Sequence, residues 1–505
     1  MNVVINYTIH ELTQYTRGKL HQYFPKIAEP TNLALDSRKI LSPEDTVFFA
    51  MHSSHRNGYE FAKFVYEKGV RNFVIEKKSF EEGKLAGANV ILVENSLTAL
   101  HYLAIHHRED FRYLPSKLRL PLIGITGSNG KTIVKEWLNY ILQNKYSVVR
   151  SPGSYNSQVG VPLSVLNLNP SHNLAIFEAG ISSPGEMILL EKMIRPTIGI
   201  FTNIGLAHAA GFRNTIQKIQ EKLKLFSRSS YLIYCSDDVV LDEEVRRFYK
   251  ETVTHNKQFS LCNWGKSADN FLQISSLRKT KGMTAITAIF KGRKMAVTIP
   301  FIDDASVENA IHCWCTSLLL DVDTEETIQK FSTLYPIAMR LEIKEGNNHC
   351  TIINDSYSND LHSLGIGLNF LAQQKQHNSR SIVLSDILQS GLKPQKLYAD
   401  VSNLLQQGKV DKLIAIGPEI YKCQKEFSSI PSSLFFLSTD DFLKHSSPTI
   451  FQNESILVKG ARSFGFEEIV SFLEKKVHKT VLSINLNALV HNLKEYKKLL
   501  HPNTK

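Results

Sequence analysis

The sequence predicts an α/β protein of three domains, in which a central parallel sheet follows a smaller α/β domain and precedes a Rossmann-like α/β domain. Three observations carry that prediction. The chain has 505 residues, several times the roughly 100–150 of a common domain. Short apolar runs alternate with helical patterns along most of its length. Before its midpoint, one apolar run meets Gly127-Ser-Asn-Gly130 and passes directly into another helical pattern.

Residues 1–115 hold the runs Thr46-Val-Phe-Phe-Ala50, Asn72-Phe-Val-Ile75 and Asn89-Val-Ile-Leu-Val93, with a helical pattern over Tyr59 to Lys68 between the first two. They form the first domain. Pro115 to Pro121, with Lys117 and Arg119 between its two prolines, reads as a linker. The second domain, 116–335, starts with the strand Leu122-Ile-Gly-Ile125 and continues through Leu174-Ala-Ile-Phe177 and Ile198-Gly-Ile-Phe-Thr202 as a mostly parallel sheet covered by helices. The third, 336–476, carries strands at Thr351–Ile353, Ser381–Leu384, Lys412–Ile416 and Ser455–Val458, with Gly417 and Gly460 just past two of them, as nucleotide-type folds prefer. Residues 477–505 stand apart.

Composition narrows the class. Hydrophobic residues at 43% and charged residues at 21% are globular values, and no run of about 18 apolar residues could span a bilayer. The N-terminus lacks a basic segment followed by an apolar core and a cleavage site, so the expected compartment is the cytoplasm. Six cysteines show no CxxC pair and no zinc-site spacing. The net charge of +11 is spread along the chain without a nucleic-acid module signature; a surface that attracts anionic nucleotides accounts for it, and no nucleic-acid partner is expected.

The chemistry begins at Thr126-Gly-Ser-Asn-Gly-Lys-Thr132. A strand precedes it and the helical pattern Ile133 to Leu142 follows, which is the context a phosphate loop requires. The amides of Gly127, Ser128, Asn129 and Gly130 can cradle phosphate oxygens, Lys131 reaches the β and γ phosphates, and Thr132 can ligate Mg²⁺. ATP or GTP fits; a glycine turn with an incidental lysine is the bland alternative. Glu178 stands at one strand end and His208 just past another, and parallel strand ends share an edge with the loop. A carboxylate and an imidazole there could hold a second metal ion.

These residues resemble the Mur ligase family, the ATP-dependent amide ligases of peptidoglycan precursor synthesis. The resemblance spans about residues 30 to 475. It implies that Gly124 to Thr132 is the ATP loop, that Glu178 and His208 are metal ligands, that Asn309 contacts adenine, and that Arg340 and Asp355 reach the nucleotide from the third domain. Leu35-Asp36-Ser37-Arg38 and Val47–Ala50 are similar to the UDP-sugar-binding first domain of the family's dipeptide-adding branch. Asn156-Ser157-Gln-Val-Gly-Val-Pro162, Ser183-Pro-Gly-Glu186, Asn354-Asp-Ser-Tyr357-Ser-Asn359 and Leu457-Val-Lys459-Gly-Ala-Arg462 resemble its later signatures. What this implies is an ADP-forming ligase that joins D-alanyl-D-alanine to UDP-N-acetylmuramoyl-tripeptide. Asp36, Ser37, Arg38, Asn156, Ser157, Tyr357, Asn359, Lys459 and Arg462 would contact substrate, and Lys131, His208 and Lys222 would serve catalysis, with two Mg²⁺ ions. Lys222 falls where the family carries a carbamylated lysine, a neutral amine that has captured CO₂ and bridges toward Mg²⁺; Lys224, two residues on, is the alternative position.

The chain departs from the family pattern twice. Where a His-Asn pair is usual before the adenine-contacting asparagine, it reads Asp304-Ala-Ser-Val-Glu-Asn309, and His52-Ser-Ser-His-Arg-Asn-Gly58 replaces a glycine-rich segment. The final stretch from Thr480 to Leu500 resembles the start of an alanine racemase instead, which implies a ligase–racemase fusion; an ordinary helical tail is the other reading. A folylpolyglutamate-type ligase, another Mur-type ligase and a non-catalytic nucleotide-binding module are the rival functions.

Overall fold

The computed structural model describes residues 3–53, 56–112, 120–205, 211–280, 282–322, 325–357, 359–374, 376–475 and 486–500. It separates into two compact units, one founded on Met1–Asp110 and the other on Phe111–Ser164 and Asn169–Lys475.

The first unit is a six-stranded sheet in the order Val3–Val4, Asn32–Ala34, Thr46–Phe49, Asn72–Glu76, Asn89–Val93, Lys19–Gln22. Its four middle strands run parallel and its two edges antiparallel. Thr46–Phe49 and Asn72–Glu76 are buried at every residue, which is why they read as continuous apolar runs rather than alternating ones. Phe48, Phe73 and Val90 pack there with Ala62 and Val65 of the helix Tyr59–Glu67.

The second unit contains two sheets. The larger has nine strands, in the order Val148–Arg150, Leu174–Glu178, Leu122–Thr126, Ile198–Phe201, Tyr231–Cys235, Ser260–Gly265, Leu272–Thr280, Met283–Phe290, Arg293–Ile299. The first seven pair in parallel, as the sequence predicts; the last three form an antiparallel meander. The reason is connection length. Lys291-Gly292, both at positive φ (49° and 76°), make a two-residue hairpin turn, and a parallel crossover needs a dozen residues or more. The helix Lys131–Leu142 buries Val134, Trp137, Leu138 and Ile141 against this sheet, together with Ala310, Ile311 and Trp314 of the helix Asp304–Leu319.

The smaller sheet runs Glu342–Glu345, Thr351–Asp355, Glu454–Lys459, Ser379–Ser385, Lys412–Ile416, Ser432–Phe436. All its pairs are parallel except the Glu342–Glu345 edge. Apolar clusters cover both faces, Leu364, Leu368 and Leu405 among one and Phe442, Phe466 and Ile469 among the other. The chain enters this sheet through Ile337–Arg340, a tight turn in which Met339 takes φ of 57°, with Leu341 just past it at 56°. No helix among the described residues is long and apolar enough to cross a membrane.

Candidate nucleotide and ligase site

Parallel strands end on one side of a sheet, so the segments that follow them converge. In the larger sheet these segments are Gly127–Gly130, Glu178–Gly180 and Thr202–Gly205. The last cradles the first: Ser128 donates its N–H to the Asn203 carbonyl at 2.9 Å and Asn129 its N–H to Asn203 Oδ1 at 3.0 Å. Gly127 and Gly130 have φ of 145° and 83°, and a Cβ on either would strike Thr202 Oγ1 or Asn309 Oδ1. Only glycine fits both positions. The helix Lys131–Leu142 therefore starts at an uncapped glycine with its first amides free to meet an anion.

Lys131 folds back on its loop and donates to the Gly127 and Ser128 carbonyls at 2.8 and 2.9 Å. Burial of this amine lowers its pKa to about 8, against the opposing pull of Glu178. Thr132 Oγ1 lies 3.0 Å from Ser154 Oγ and donates to Glu178 Oε2 at 3.2 Å. Glu178 is fully buried, and its other oxygen lies 3.0 Å from Lys135 Nζ without a hydrogen bond aligned to it. Lys135, fully buried too, donates to the carbonyls of Ser151 and Gly153 and so ties the Ser151–Ser154 turn to Glu178. Lys135 is not among the residues the sequence singles out; its place one helical turn after Lys131 is the available signal.

Lys222 lies on the helix Thr215–Leu223 and is 3% exposed, its amine donating to the Gly127 carbonyl at 3.0 Å. Burial first, then the charges of Lys131 and Lys218, push its pKa well below the usual lysine range. Lys224 instead pairs with Glu221 at the half-exposed end of the helix. Lys218, which no motif in the sequence marks, donates to the Gly205 carbonyl and is lowered to about 8 by burial. Lys131 and Lys222 thus share the Gly127 carbonyl, and the charge of Lys218 is felt by Lys222. His208 lies outside the described residues.

The smaller sheet brings its own strand ends to the same loop. Arg340 stacks over the Tyr357 ring at 4.2 Å, and Arg462 approaches that ring at 5.5 Å and donates to its hydroxyl at 3.4 Å. Asp355 and Lys459, in register on adjacent strands, form a buried pair at 2.6 Å; burial still raises the Asp355 carboxyl above its ordinary value. Asn359 donates to the Ser385 carbonyl at 2.9 Å and leaves Oδ1 buried without a partner among the described residues. A larger cavity is lined by Lys131, Thr132, Asn156, Tyr357, Asn359 and Arg462, and a smaller neighbouring one by Gly130, Asn309, Arg340, Asp355 and Lys459. Ser157 is near but has a local duty, accepting the Gly160 N–H at 3.2 Å at the start of a helix.

In the first unit Asp36 caps the short turn Ser37–Lys39, and both its oxygens hold the Arg38 guanidinium at 2.9 Å. That pair keeps the Asp36 carboxyl far below the usual carboxylate range. Ser37 is buried beneath it.

In this site a glycine loop sets its lysine and threonine beside a buried glutamate and a second sheet supplies arginines, and residues 125–317 match the Mur ligase middle domain. Along most of its length the chain is similar to UDP-N-acetylmuramoyl-tripeptide–D-alanyl-D-alanine ligases. It is 27% identical over 450 residues to that of Borreliella burgdorferi, covering 87% of this chain and 93% of the relative. It is 25% identical over 478 residues to that of Bacillus subtilis, covering 93% and 99%. The same fold is seen in MurF from Acinetobacter baumannii, with a TM-score of 0.77 at 22% identity over 93% of this chain and 98% of that one. MurF from Thermotoga maritima, solved in complex with ADP, gives 0.69 at 20% identity over 87% and 96%.

Proposed function

We propose that this chain is the ATP-dependent, ADP-forming amide ligase that adds D-alanyl-D-alanine to UDP-N-acetylmuramoyl-tripeptide in the cytoplasmic stage of peptidoglycan synthesis. The observation that carries the reading is the larger cavity, in which Lys131, Thr132 and Asn156 of one sheet's loops face Tyr357, Asn359 and Arg462 of the other's. Lys131 and the loop amides orient a γ-phosphate toward the tripeptide carboxylate, which attacks it to give an acyl phosphate and ADP. The dipeptide amine then attacks the activated carbonyl, and phosphate leaves. Positioning and positive charge do most of this work. Arg340 and Arg462, braced on Tyr357, are suited to the negative charge that develops.

The residues present fit magnesium. Thr132 Oγ1, Ser154 Oγ and the unbonded Glu178 oxygen are hard donors, with His208 as the further ligand implied by resemblance. When bound, Mg²⁺ offsets phosphate charge. Lys222 suits carbamylation because burial favours its neutral amine, the form that adds CO₂ and releases a proton; the carbamate would supply an anion beside the loop. Asn309 and Asp355 complete the ATP site in this reading, and Asp36, Ser37 and Arg38 contact the UDP-substrate from the first domain, 1–115, with 116–335 and 336–476 as the other two. The helix Leu486–Leu499 stands outside the ligase reading and is proposed as part of a racemase-like segment. Racemisation assayed on the whole natural gene product tests that part.

Phosphate release with UDP-N-acetylmuramoyl-tripeptide, with and without D-alanyl-D-alanine, tests the main assignment. Dipeptide-dependent phosphate is expected; release that ignores the dipeptide refutes it.

A further inference from the structure

The smaller cavity contains a polar atom that no step above uses. Asp303 caps the helix Asp304–Leu319. Its Oδ1 accepts the Ser306 N–H at 2.8 Å, while Oδ2 is buried with no hydrogen-bond partner among the described residues. The residue is 2% exposed and lines the cavity beside Gly130 and Asn309. One oxygen is enough for a cap, and a buried acceptor without a donor costs free energy, so the second oxygen calls for a donor that the folded chain does not supply. Its neighbour Asp304 differs, since it is exposed and pairs with Lys279 at 2.5 Å. Ile133, Ala305, Leu341 and Ile366 give the same cavity apolar walls suited to a flat ring.

The phosphate loop cannot choose a base, because all nucleoside triphosphates present it with the same phosphates. That choice has to come from polar atoms where the base lies. We propose that Asp303 Oδ2 selects adenine by accepting an N–H of its 6-amino group, a position at which guanine and hypoxanthine carry a carbonyl oxygen that would meet the carboxylate acceptor to acceptor. This rests on the reading of the cavity as a nucleotide site and adds to it a residue that sets the base.

The test is calorimetric titration of the full chain with ADP and with inosine diphosphate, which differ at that position. Wild type should bind ADP at least tenfold more tightly. Asp303→Asn keeps an oxygen for the Ser306 cap and turns the free acceptor into a donor, so it should erase or invert the preference. A purely structural cap would weaken both nucleotides alike; an unmoved ratio therefore overturns the role of Asp303 while leaving the nucleotide reading intact. Wild type that binds neither nucleotide sinks both. Should Asp303→Asn fail to fold, Asp303→Ser, which can still cap, reads the same ratio.

Discussion

Raising the pH should strengthen the ligand-free fold and weaken nucleotide binding at the same time, both through Lys131. Its amine has a pKa of 10.5 when unfolded and about 8 in the folded protein, mainly because of burial. Since the folded value is the lower one, the unfolded chain holds more protons between those limits, and stability rises with pH across the window. The buried charge costs roughly 3 kcal/mol at pH 7, and about 1 kcal/mol of that is relieved by pH 9. Phosphate oxygens need the ammonium form. Over the same two pH units the protonated fraction falls about tenfold, and ADP affinity should fall with it, by about 1.4 kcal/mol. Urea unfolding of the nucleotide-free protein and ADP titration, each at pH 7 and 9, measure the two trends. Lys131→Met removes this titration and also relieves the repulsion that lowers Lys218 and Lys222, so the difference between the two proteins reports Lys131 together with that coupling. An ADP affinity independent of pH in wild type, or an equal stability gain in Lys131→Met, would refute the reasoning.

Three further outcomes are expected. Glu178→Gln leaves the buried Lys135 amine facing a neutral group and should destabilise the protein by about 3–5 kcal/mol while abolishing the proposed ligase turnover; unchanged denaturation would show that the ion pair does not stabilise the fold. His312 bridges the Trp264 indole N–H at 3.1 Å and the Thr202 carbonyl at 2.9 Å, and burial lowers its pKa to about 4. Its share of stability is present above the unfolded value near 6.5 and lost as pH falls toward 4, roughly 3 kcal/mol in all; His312→Phe should start less stable and lack that acid limb in urea melts. Gly130→Ala places a side chain at φ 83° against Asn309 and should cost about 1–3 kcal/mol with at least tenfold weaker ADP binding. Wild-type affinity in that variant would mean that the loop tolerates a Cβ.

What could be read in the sequence was local. The phosphate loop announces itself because its backbone needs glycine at two positions and a strand and helix on either side, all within twenty residues. Strands such as Thr46–Phe49 and Lys412–Ile416 show as apolar runs because both faces are covered. The antiparallel meander was legible too, in Phe290-Lys-Gly-Arg293, but a run of preceding parallel strands masked the hairpin signal.

What only the tertiary structure decided is which side chains meet. Lys222 and Lys224 lie two residues apart, one in the last turn of a helix and the other just past it, and nothing in their spelling shows that one amine is buried at Gly127 while the other reaches Glu221. Asp303 and Asp304 are equally alike in sequence, yet one carboxylate turns inward and the other pairs with Lys279. Lys135 and His312 acquire their roles from Gly153, Glu178, Thr202 and Trp264, which lie on separate strands or the loops after them. Periodicity and turn chemistry are properties of a short segment, so the sequence alone determined the α/β class, most of the strands and the glycine turn between strand and helix. Burial, pairing and the resulting pKa values depend on atoms far apart in the chain. They came into being only when the strand ends were gathered along common sheet edges, and those atoms decide what the loop can do.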